Sequence, residues 1–280
     1  MIKIFKRFFK SAHRTLGKFL PFFNYTPDTS YSTIPSKNLK FKDIFYQHNQ
    51  NVSDKWVNYF DIYDSCMERY RGNNSKILEI GIQNGGTLQI FNKYLQNAEL
   101  FGVDIDPNIA NLSLENNIHI FNFDITDEQA IAKHFNKIKF DIIIDDGSHI
   151  SSDIIKTFRL LFSKLKPGGI FLIEDLHASY WKSHGGSYLG DNSAIEFFKK
   201  FADLLNFYHI NDPQFDQIFS ESDKFIFQWL QSISFYDSVV VVHKLLSSRK
   251  KHYERVMVGK IEPVVPVIKI AKEEDWYHHS

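Results

Sequence analysis

The sequence has a single cysteine, Cys66, among 280 residues, so no disulfide can form within the chain and a reducing compartment is expected. It has no excess of either charge, because 33 Lys and Arg residues balance 33 Asp and Glu residues. A balanced charge creates no field that would attract nucleic acid, so we expect no nucleic-acid partner. No apolar run approaches the roughly 18 residues of a membrane span. Together these absences predict a cytoplasmic protein.

The composition predicts one large domain with an extension at each end. Apolar residues make up 43% of the chain, which is enough to bury a substantial core. We assign residues 37–246 to this domain and residues 247–280 to a C-terminal extension. Residues 1–36 are assigned to a basic amphipathic segment and a linker, because Pro, Ser and Thr recur between Pro21 and Ser36.

The first 20 residues have the pattern of an amphipathic helix. Apolar side chains fall on one helical face, Lys and Arg lie largely on the opposite face, and no acidic residue precedes Asp28. One interpretation is a helix that lies on an anionic membrane surface, which would place the protein at the inner face of the membrane. The other is a helix that docks on its own domain or on a second subunit of a homo-oligomer.

One stretch, from Phe140 to Asp175, organises the rest of the chain. Two apolar runs, Asp141–Ile144 and Ile170–Ile173, are typical of buried parallel strands, and the segment between them has helical spacing. Acidic residues follow each strand, with one histidine nearby: Asp145, Asp146 and His149 after the first, and Glu174 and Asp175 after the second. Ligands bind parallel sheets at the carboxyl ends of the strands, and so much like charge there is costly unless a cation or hydrogen-bond donors offset it. The pattern therefore indicates a reaction centre.

A second group of residues predicts a nucleotide-type pocket. The strand Lys76–Ile80 contains Glu79 and leads into a glycine-rich turn with Gly81 and Gly85, which opens a helix. The spacing is G-x-x-x-G-G, so the dinucleotide fingerprint is not met. The strand Leu100–Asp104 ends in an acid about twenty residues after the glycine turn, a position suited to ribose hydroxyls.

Further along, Asp124 follows the predicted strand Ile118–Phe123. It is predicted either to contact an adenine amino group or to form a turn. After Asp175, a glycine-rich stretch with exposed aromatic candidates is predicted to be a lid or substrate loop: Tyr180, Trp181, His184 and Tyr188. Residues 41–71 are predicted to be mostly helical, with Trp56 on a buried face, and residues 211–226 to be irregular.

These motifs resemble a known family. EIGIQNGG with VDID resembles the cofactor half of class I S-adenosylmethionine-dependent methyltransferases. DIIIDDGSH, PGGIFLIEDL, SYWKSHGG, KWVNYFDIY and FYDSVVVVHK resemble the metal-dependent sugar O-methyltransferases of the mycinamicin type. The resemblance covers roughly residues 41–244. It implies an α/β fold with a doubly wound, mostly parallel seven-stranded sheet, a Rossmann-like methyltransferase fold, preceded here by an N-terminal helical extension.

The resemblance also implies roles for individual residues. Mg²⁺ would be held by Asp146, Glu174 and Asp175, and His149 would be the general base. S-adenosylmethionine would be bound by a set of residues around the glycine turn and the strand ends: Glu79, Gly81, Gly85, Asp104, Asp124 and Asp145, the last as support at its strand end. Relatives often carry a second histidine four residues after the first, whereas this chain has Asp153.

The implied reaction is methyl transfer to a sugar hydroxyl. The acceptor could belong to a surface polysaccharide, a lipid-linked glycan or a glycosylated natural product. Two other classes are weighed against this one. A cephalosporin hydroxylase-like oxygenase would need iron held by two histidines and a carboxylate, and only His149 is well placed, with His177 more distant. A non-catalytic nucleotide-binding scaffold would have no need for the clustered acids.

Overall fold

The predicted site residues lie on the parallel strands of one sheet or in the segments that follow those strands. The structure, a computed structural model, describes residues 39–210, 220–249 and 258–259. The predicted basic helix, its linker and most of the C-terminal extension lie outside the described residues. Within these ranges, no helix is long and apolar enough to cross a membrane.

Seven strands form the sheet in the order β3-β2-β1-β4-β5-β7-β6. Pairing is parallel from β3 through β5, and β7 runs antiparallel to both β5 and β6. The strand bounds are β1 Lys76–Ile80, β2 Glu99–Asp104, β3 Ile118–Asn122, β4 Phe140–Asp145, β5 Leu165–Ile173, β6 Leu230–Phe235 and β7 Val240–Lys244. The predicted doubly wound, mostly parallel fold is confirmed. The strand order reverses between β1 and β4, the position where such sheets bind ligands.

Helices cover both faces of the sheet and build two apolar cores. One core lies beneath α1 to α3, and the other beneath α4 to α8. The α-helices are α1 Phe41–Tyr46, α2 Tyr59–Met67, α3 Gly86–Leu95, α4 Glu128–Phe135, α5 Ser151–Phe162, α6 Ala194–Lys199, α7 Phe201–Leu205 and α8 Glu221–Trp229. Short 3-10 helices span Glu68–Tyr70, Pro107–Asn111, Leu176–Tyr180, Lys182–His184 and Phe207–His209. Because each central strand is buried on both faces, its apolar residues run without alternation.

Three sequence predictions about local structure were wrong. Residues 41–71 are helical over Phe41–Tyr46, Tyr59–Met67 and Glu68–Tyr70, but Trp56 lies between the helices and is 57% exposed instead of buried. The end of the predicted irregular stretch is helical, because Ser220 and Asp223 form a capping box that starts α8. Strand β5 begins at Leu165 rather than at the predicted Ile170, so Pro167, Gly168 and Gly169 belong to the strand, beside an irregular register with β4.

The segment between α1 and α2, residues 47–58, covers the start of α3. The Asn51 side chain donates to the Asn84 carbonyl oxygen at 2.7 Å, and its backbone N–H donates to Gln89 at 3.1 Å. Ser53 and Thr87 share a hydroxyl hydrogen bond of 2.7 Å. A Cβ on Gly86 would lie 2.3 Å from the Val52 carbonyl oxygen, so only glycine permits this approach. These contacts hold the 47–58 segment against the carboxyl edge of the sheet.

Candidate active site at the carboxyl edge of the sheet

The ends of β1, β4 and β5 bring the predicted acids to one edge. Ile80 lies opposite Asp145 in the register, and the Asp146 N–H donates to the Ile80 carbonyl at 3.0 Å. The Glu174 N–H donates to the Asp145 carbonyl at 2.9 Å. Gly81 adopts φ +84°, and a Cβ there would lie 2.1 Å from the Asp146 carbonyl oxygen. A glycine is therefore required where the turn after β1 passes the turn after β4.

A cleft of about 500 Å³ opens at this edge. Four of the predicted cofactor residues line it: Gly81, Asp104, Asp124 and Asp145. Asp104 accepts the backbone N–H groups of Gln83 and Asp106, each at 2.9 Å. Asp124 accepts from the Thr126 N–H and hydroxyl, each at 2.8 Å, so the predicted turn contact is present in addition to its position in the cleft.

The remaining predicted cofactor residues, Glu79 and Gly85, are not part of the cleft wall. Gly85 adopts φ +74° at the start of α3, and a Cβ there would lie 2.7 Å from the Leu114 side chain. Glu79 is 1% exposed, and among the described residues its Oε2 has no hydrogen-bond partner. Burial raises the pKa of Glu79 to about 8, with Lys55 opposing the shift.

Asp145 has the same character as Glu79. It is 5% exposed, and within the described part of the chain its Oδ2 has no hydrogen-bond partner. Its Oδ1 accepts the Gly147 N–H at 3.3 Å. Burial raises the pKa of Asp145 to about 7. A buried carboxylate oxygen without a donor is costly, so both residues are suited to a ligand that supplies donors or positive charge.

Asp146, His149 and Asp175 form a group whose ligand atoms all lie within 4.8 Å of one another. The His149 Nε2 is 3.8 Å from Asp146 Oδ1 and 3.7 Å from Asp175 Oδ2. His149 and Asp175 both adopt left-handed backbone conformations, with φ +56° and +51°. Such conformations cost about 1 kcal/mol or more in residues other than glycine and are concentrated at functional sites. Burial lowers the pKa of His149, with Asp175 and Glu174 opposing the shift.

Glu174 faces different partners. Lys55, whose side chain is 3% exposed, forms ion pairs with Asp146 and with Glu174 Oε2, the latter at 2.8 Å. The Tyr63 hydroxyl donates to the other Glu174 oxygen. The structure thus brings two of the three predicted metal ligands, Asp146 and Asp175, to His149, while Glu174 is hydrogen-bonded to Lys55 and Tyr63.

Burial is the main cause of the pKa shifts at this edge, and the neighbouring carboxylates add to it. Burial raises the pKa of Glu174 to about 7 and also raises the pKa of Asp146, although Lys55 opposes both shifts. Burial disfavours the charged form of Lys55, but the surrounding carboxylates, Glu174 foremost, hold its pKa well above the usual value. One ammonium group therefore does not neutralise the cluster, and a second cation would be favoured there.

Sequence reasoning missed three residues that support the acids. They are Lys55, Tyr63 and Tyr59, whose hydroxyl donates to Asp175 Oδ1 at 2.6 Å. The Tyr59 hydroxyl also hydrogen-bonds to Ser238 at 3.0 Å. The motif KWVNYFDIY contains all three missed residues, and the excess of acids at the strand ends was a signal that a buried cation must exist. No local pattern indicated which Lys or Arg would supply it.

The stretch after β5, predicted as a lid or substrate loop, begins with two 3-10 helices. Leu176, Ala178 and Ser179 are buried, whereas Tyr180 and Trp181 are about half exposed. His184 lines the cleft together with His149. The loop is therefore anchored beside the carboxylates and presents aromatic rings next to the cleft. Asp153, at the start of α5, accepts the Ser148 hydroxyl at 2.8 Å and also lines the cleft.

The chain is similar in sequence and in fold to known methyltransferases. Residues 78–176 match the family profile described as "Methyltransferase domain". The 8-demethyl-8-alpha-L-rhamnosyl tetracenomycin-C 2'-O-methyltransferase of Streptomyces olivaceus is 32% identical over 55% of this chain and 43% of its own length. Mycinamicin VI 2''-O-methyltransferase of Micromonospora griseorubida is 33% identical over 44% of this chain and 33% of its own length. The chain spans less than half the length of these curated relatives.

Among solved structures, MycE methyltransferase from the mycinamycin biosynthetic pathway, in complex with Mg and SAH, superposes with a TM-score of 0.58 at 25% identity. That match covers 66% of this chain and 48% of MycE. Its complex that also contains mycinamycin VI gives a TM-score of 0.64 at 22% identity, over 75% of this chain and 54% of MycE. Residues 78–176 are therefore similar to a methyltransferase domain, and the chain is similar to sugar O-methyltransferases of natural-product pathways.

Proposed function

We propose that this protein transfers a methyl group from S-adenosylmethionine to a sugar hydroxyl of a glycan or glycosylated natural product, with Mg²⁺ bound beside the reacting groups. The observation that carries the proposal is the turn at residues 145–149. It forms one wall of the cleft. It also supplies Asp146 and His149, which together with Asp175 could hold a metal ion. Cofactor cleft and acid–base group are thus joined by a single turn.

The cleft suits S-adenosylmethionine, which carries hydroxyls, an adenine and two positively charged centres. Asp104 and Asp124 are acceptors at the strand ends, where ribose hydroxyls and an adenine amino group would find partners. The unpartnered Oδ2 of Asp145, which lines the cleft, favours a ligand that brings positive charge and donors. Gly81 lines the cleft where its turn passes the Asp146 carbonyl, so its backbone would lie next to a bound ligand.

The acids suit a hard cation. Asp146 and Asp175 belong both to the ligand set implied by the sequence and to the group within 4.8 Å, so we propose them as the central ligands. Glu174, which pairs with Lys55, would be the third ligand. Oxygen-rich ligand sets favour Mg²⁺. When bound, Mg²⁺ would lower the pKa of the acceptor hydroxyl.

His149 is proposed as the general base. Its lowered pKa keeps the imidazole neutral near pH 7, so that Nε2 can accept the proton of the acceptor hydroxyl. The carboxylates of Asp146 and Asp175, less than 4 Å from Nε2, would stabilise the resulting imidazolium. The left-handed backbone conformation of His149 places its ring in the wall of the cleft. Positioning is the main requirement for attack on a sulfonium methyl group.

The oxygenase alternative is less well supported. An iron site of that kind needs two histidines and one carboxylate, whereas the metal-binding group found among the described residues contains one histidine and two carboxylates. The Nδ1 atom of His177 hydrogen-bonds to the Ser238 hydroxyl. Cytoplasmic location, homo-oligomer formation and membrane contact through residues 1–20 stay predictions from the sequence.

The proposed reaction is tested by supplying S-adenosylmethionine with a radiolabelled methyl group, a panel of glycosides and either Mg²⁺ or EDTA. We expect label in the glycoside with Mg²⁺, loss of transfer in EDTA, and recovery when excess Mg²⁺ is added. Full transfer in EDTA would contradict the metal requirement. Calorimetric binding of NAD without binding of S-adenosylmethionine would overturn the cofactor assignment.

Replacing His149 by alanine tests the base. We expect kcat to fall by about 100-fold to 10,000-fold, the range for loss of a general base, with S-adenosylhomocysteine affinity unchanged. The control is His119→Ala, because His119 is a half-exposed histidine that pairs with Glu99. Equal kcat values for the two variants would reject His149 as the base.

Gly81→Ala tests the contact between the two turns. The added methyl group would collide with the Asp146 carbonyl oxygen, so we expect S-adenosylhomocysteine affinity to fall by roughly tenfold to 100-fold. Gly72→Ala is the matched control, because Gly72 has a similar φ of +74° and an added Cβ would have no atom within 4 Å. Both variants should lose about 1 kcal/mol of stability from the backbone conformation. Equal calorimetric affinities would contradict the proposed cleft.

Lys55→Met tests whether the acids require a cation. Removing one partner of a buried ion pair costs about 3–5 kcal/mol, so the unfolding temperature in EDTA should fall well below that of the wild type. Added Mg²⁺ should restore much of that stability. Lys76→Met is the control, because its ion pair with Glu99 is exposed and should contribute less than about 1 kcal/mol. An unfolding temperature for Lys55→Met equal to that of the control would contradict the proposal that the buried acids require a cation.

A further inference from the structure

Four aromatic rings form a continuous row beside the cleft. The ring centroids of Trp56 and His177 are 6.1 Å apart, those of His177 and Trp181 are 4.8 Å apart, and those of Trp181 and His184 are 5.5 Å apart. Each neighbouring pair meets edge to face, the arrangement that aromatic quadrupoles favour. We call these four residues the ring row. It joins the 47–58 segment to the loop after β5.

The ring row is attached to the proposed reaction centre at several points. Trp56 follows Lys55, which pairs with Asp146 and Glu174. His184, at the other end of the row, lines the cleft with His149 and Asp175. The ring row therefore borders the edge of the cleft where the acids and the general base lie.

A hydrogen-bond chain holds the middle of the row in place. The His177 Nδ1 bonds to the Ser238 hydroxyl. The Ser238 hydroxyl in turn hydrogen-bonds to the Tyr59 hydroxyl oxygen at 3.0 Å, and the single Tyr59 proton is donated to Asp175 at 2.6 Å. The orientation of the His177 ring is thus coupled to the carboxylate proposed to bind the cation. A rigid ring at this distance from the chemistry is suited to positioning a substrate.

The two tryptophans are unusually exposed for their size. Trp56 is 57% exposed and Trp181 is 49% exposed, and Tyr180 beside them is 48% exposed. Large aromatic surface left in contact with water, rimmed by polar groups and next to a cleft, is typical of a ligand-binding surface. The two histidines of the row add hydrogen-bonding groups between the indoles.

We propose that the ring row is the acceptor subsite and that it binds the sugar by stacking one face of a pyranose ring against Trp181 and Trp56. This inference rests on the proposed function. A pyranose has apolar faces made of C–H groups and a rim of hydroxyls. Indole rings would cover one apolar face, while the rim stays free to present a hydroxyl toward His149. The ring row therefore selects a six-membered sugar and fixes its orientation, and the acids and base act on the hydroxyl presented.

The test measures sugar binding separately from methyl transfer. The protein, saturated with Mg²⁺ and S-adenosylhomocysteine, is titrated with methyl rhamnoside, glucoside, galactoside and mannoside pyranosides while tryptophan fluorescence is recorded. We expect at least one glycoside to change the emission. Its affinity should fall about tenfold in Trp181→Leu and in Trp56→Leu, because loss of one stacked ring is of that order, and should largely return in Trp181→Phe.

Trp229→Phe is the matched control. Trp229 packs beside Lys244 at the end of β7, on the opposite edge of the sheet from the acids, so this variant should bind the glycoside as the wild type does. If none of the four glycosides changes the emission, or if the leucine variants bind as tightly as the control, the ring row is not the acceptor subsite. Failure of the proposed function gives a different result: a calorimetric titration of the protein with S-adenosylhomocysteine, done before any glycoside is added, would show no binding.

Discussion

The arrangement of this protein depends on the pairing of one buried ammonium group with too many buried carboxylates. Parallel strands β1, β4 and β5 end side by side, so the acids that follow them share one edge. Lys55 contacts two of them, Asp146 and Glu174, and yet burial still raises the pKa of both. The remaining imbalance makes the edge a place where positively charged ligands are favoured. A sulfonium cofactor and a divalent cation are two ligands of that kind.

The 47–58 segment connects the parts of the site that lie on different strands. Through Asn51 and Ser53 it contacts the start of α3, where the glycine turn ends. Through Lys55 it reaches the acids, and through Trp56 it begins the ring row. The glycine turn, the proposed cation site and the proposed sugar subsite are therefore in contact with one short segment. A change in its position would affect all three at once.

Much of the fold and part of the site could be predicted from the sequence. The continuous apolar strands and the acids that follow them are local signals, and they correctly indicated a parallel sheet with its acids at one edge. Lys55, Tyr59 and Tyr63 could not be predicted, because their roles depend on contacts between residues more than 100 positions apart. Trp56 was wrongly predicted to be buried, because helical spacing alone cannot distinguish a core stripe from rings presented at a cleft. Trp56 is presented at the cleft because the helical stretch is interrupted before α2.

We propose that the carboxyl edge of the sheet holds a cofactor and a cation next to each other. A crystal structure grown with S-adenosylhomocysteine and Mn²⁺, an oxygen-seeking substitute for Mg²⁺ with a strong anomalous signal, tests it most directly. We expect S-adenosylhomocysteine in the cleft against Gly81 and Asp104, and one anomalous peak coordinated by Asp146 and Asp175. An anomalous peak elsewhere, or S-adenosylhomocysteine bound outside the cleft, would contradict it.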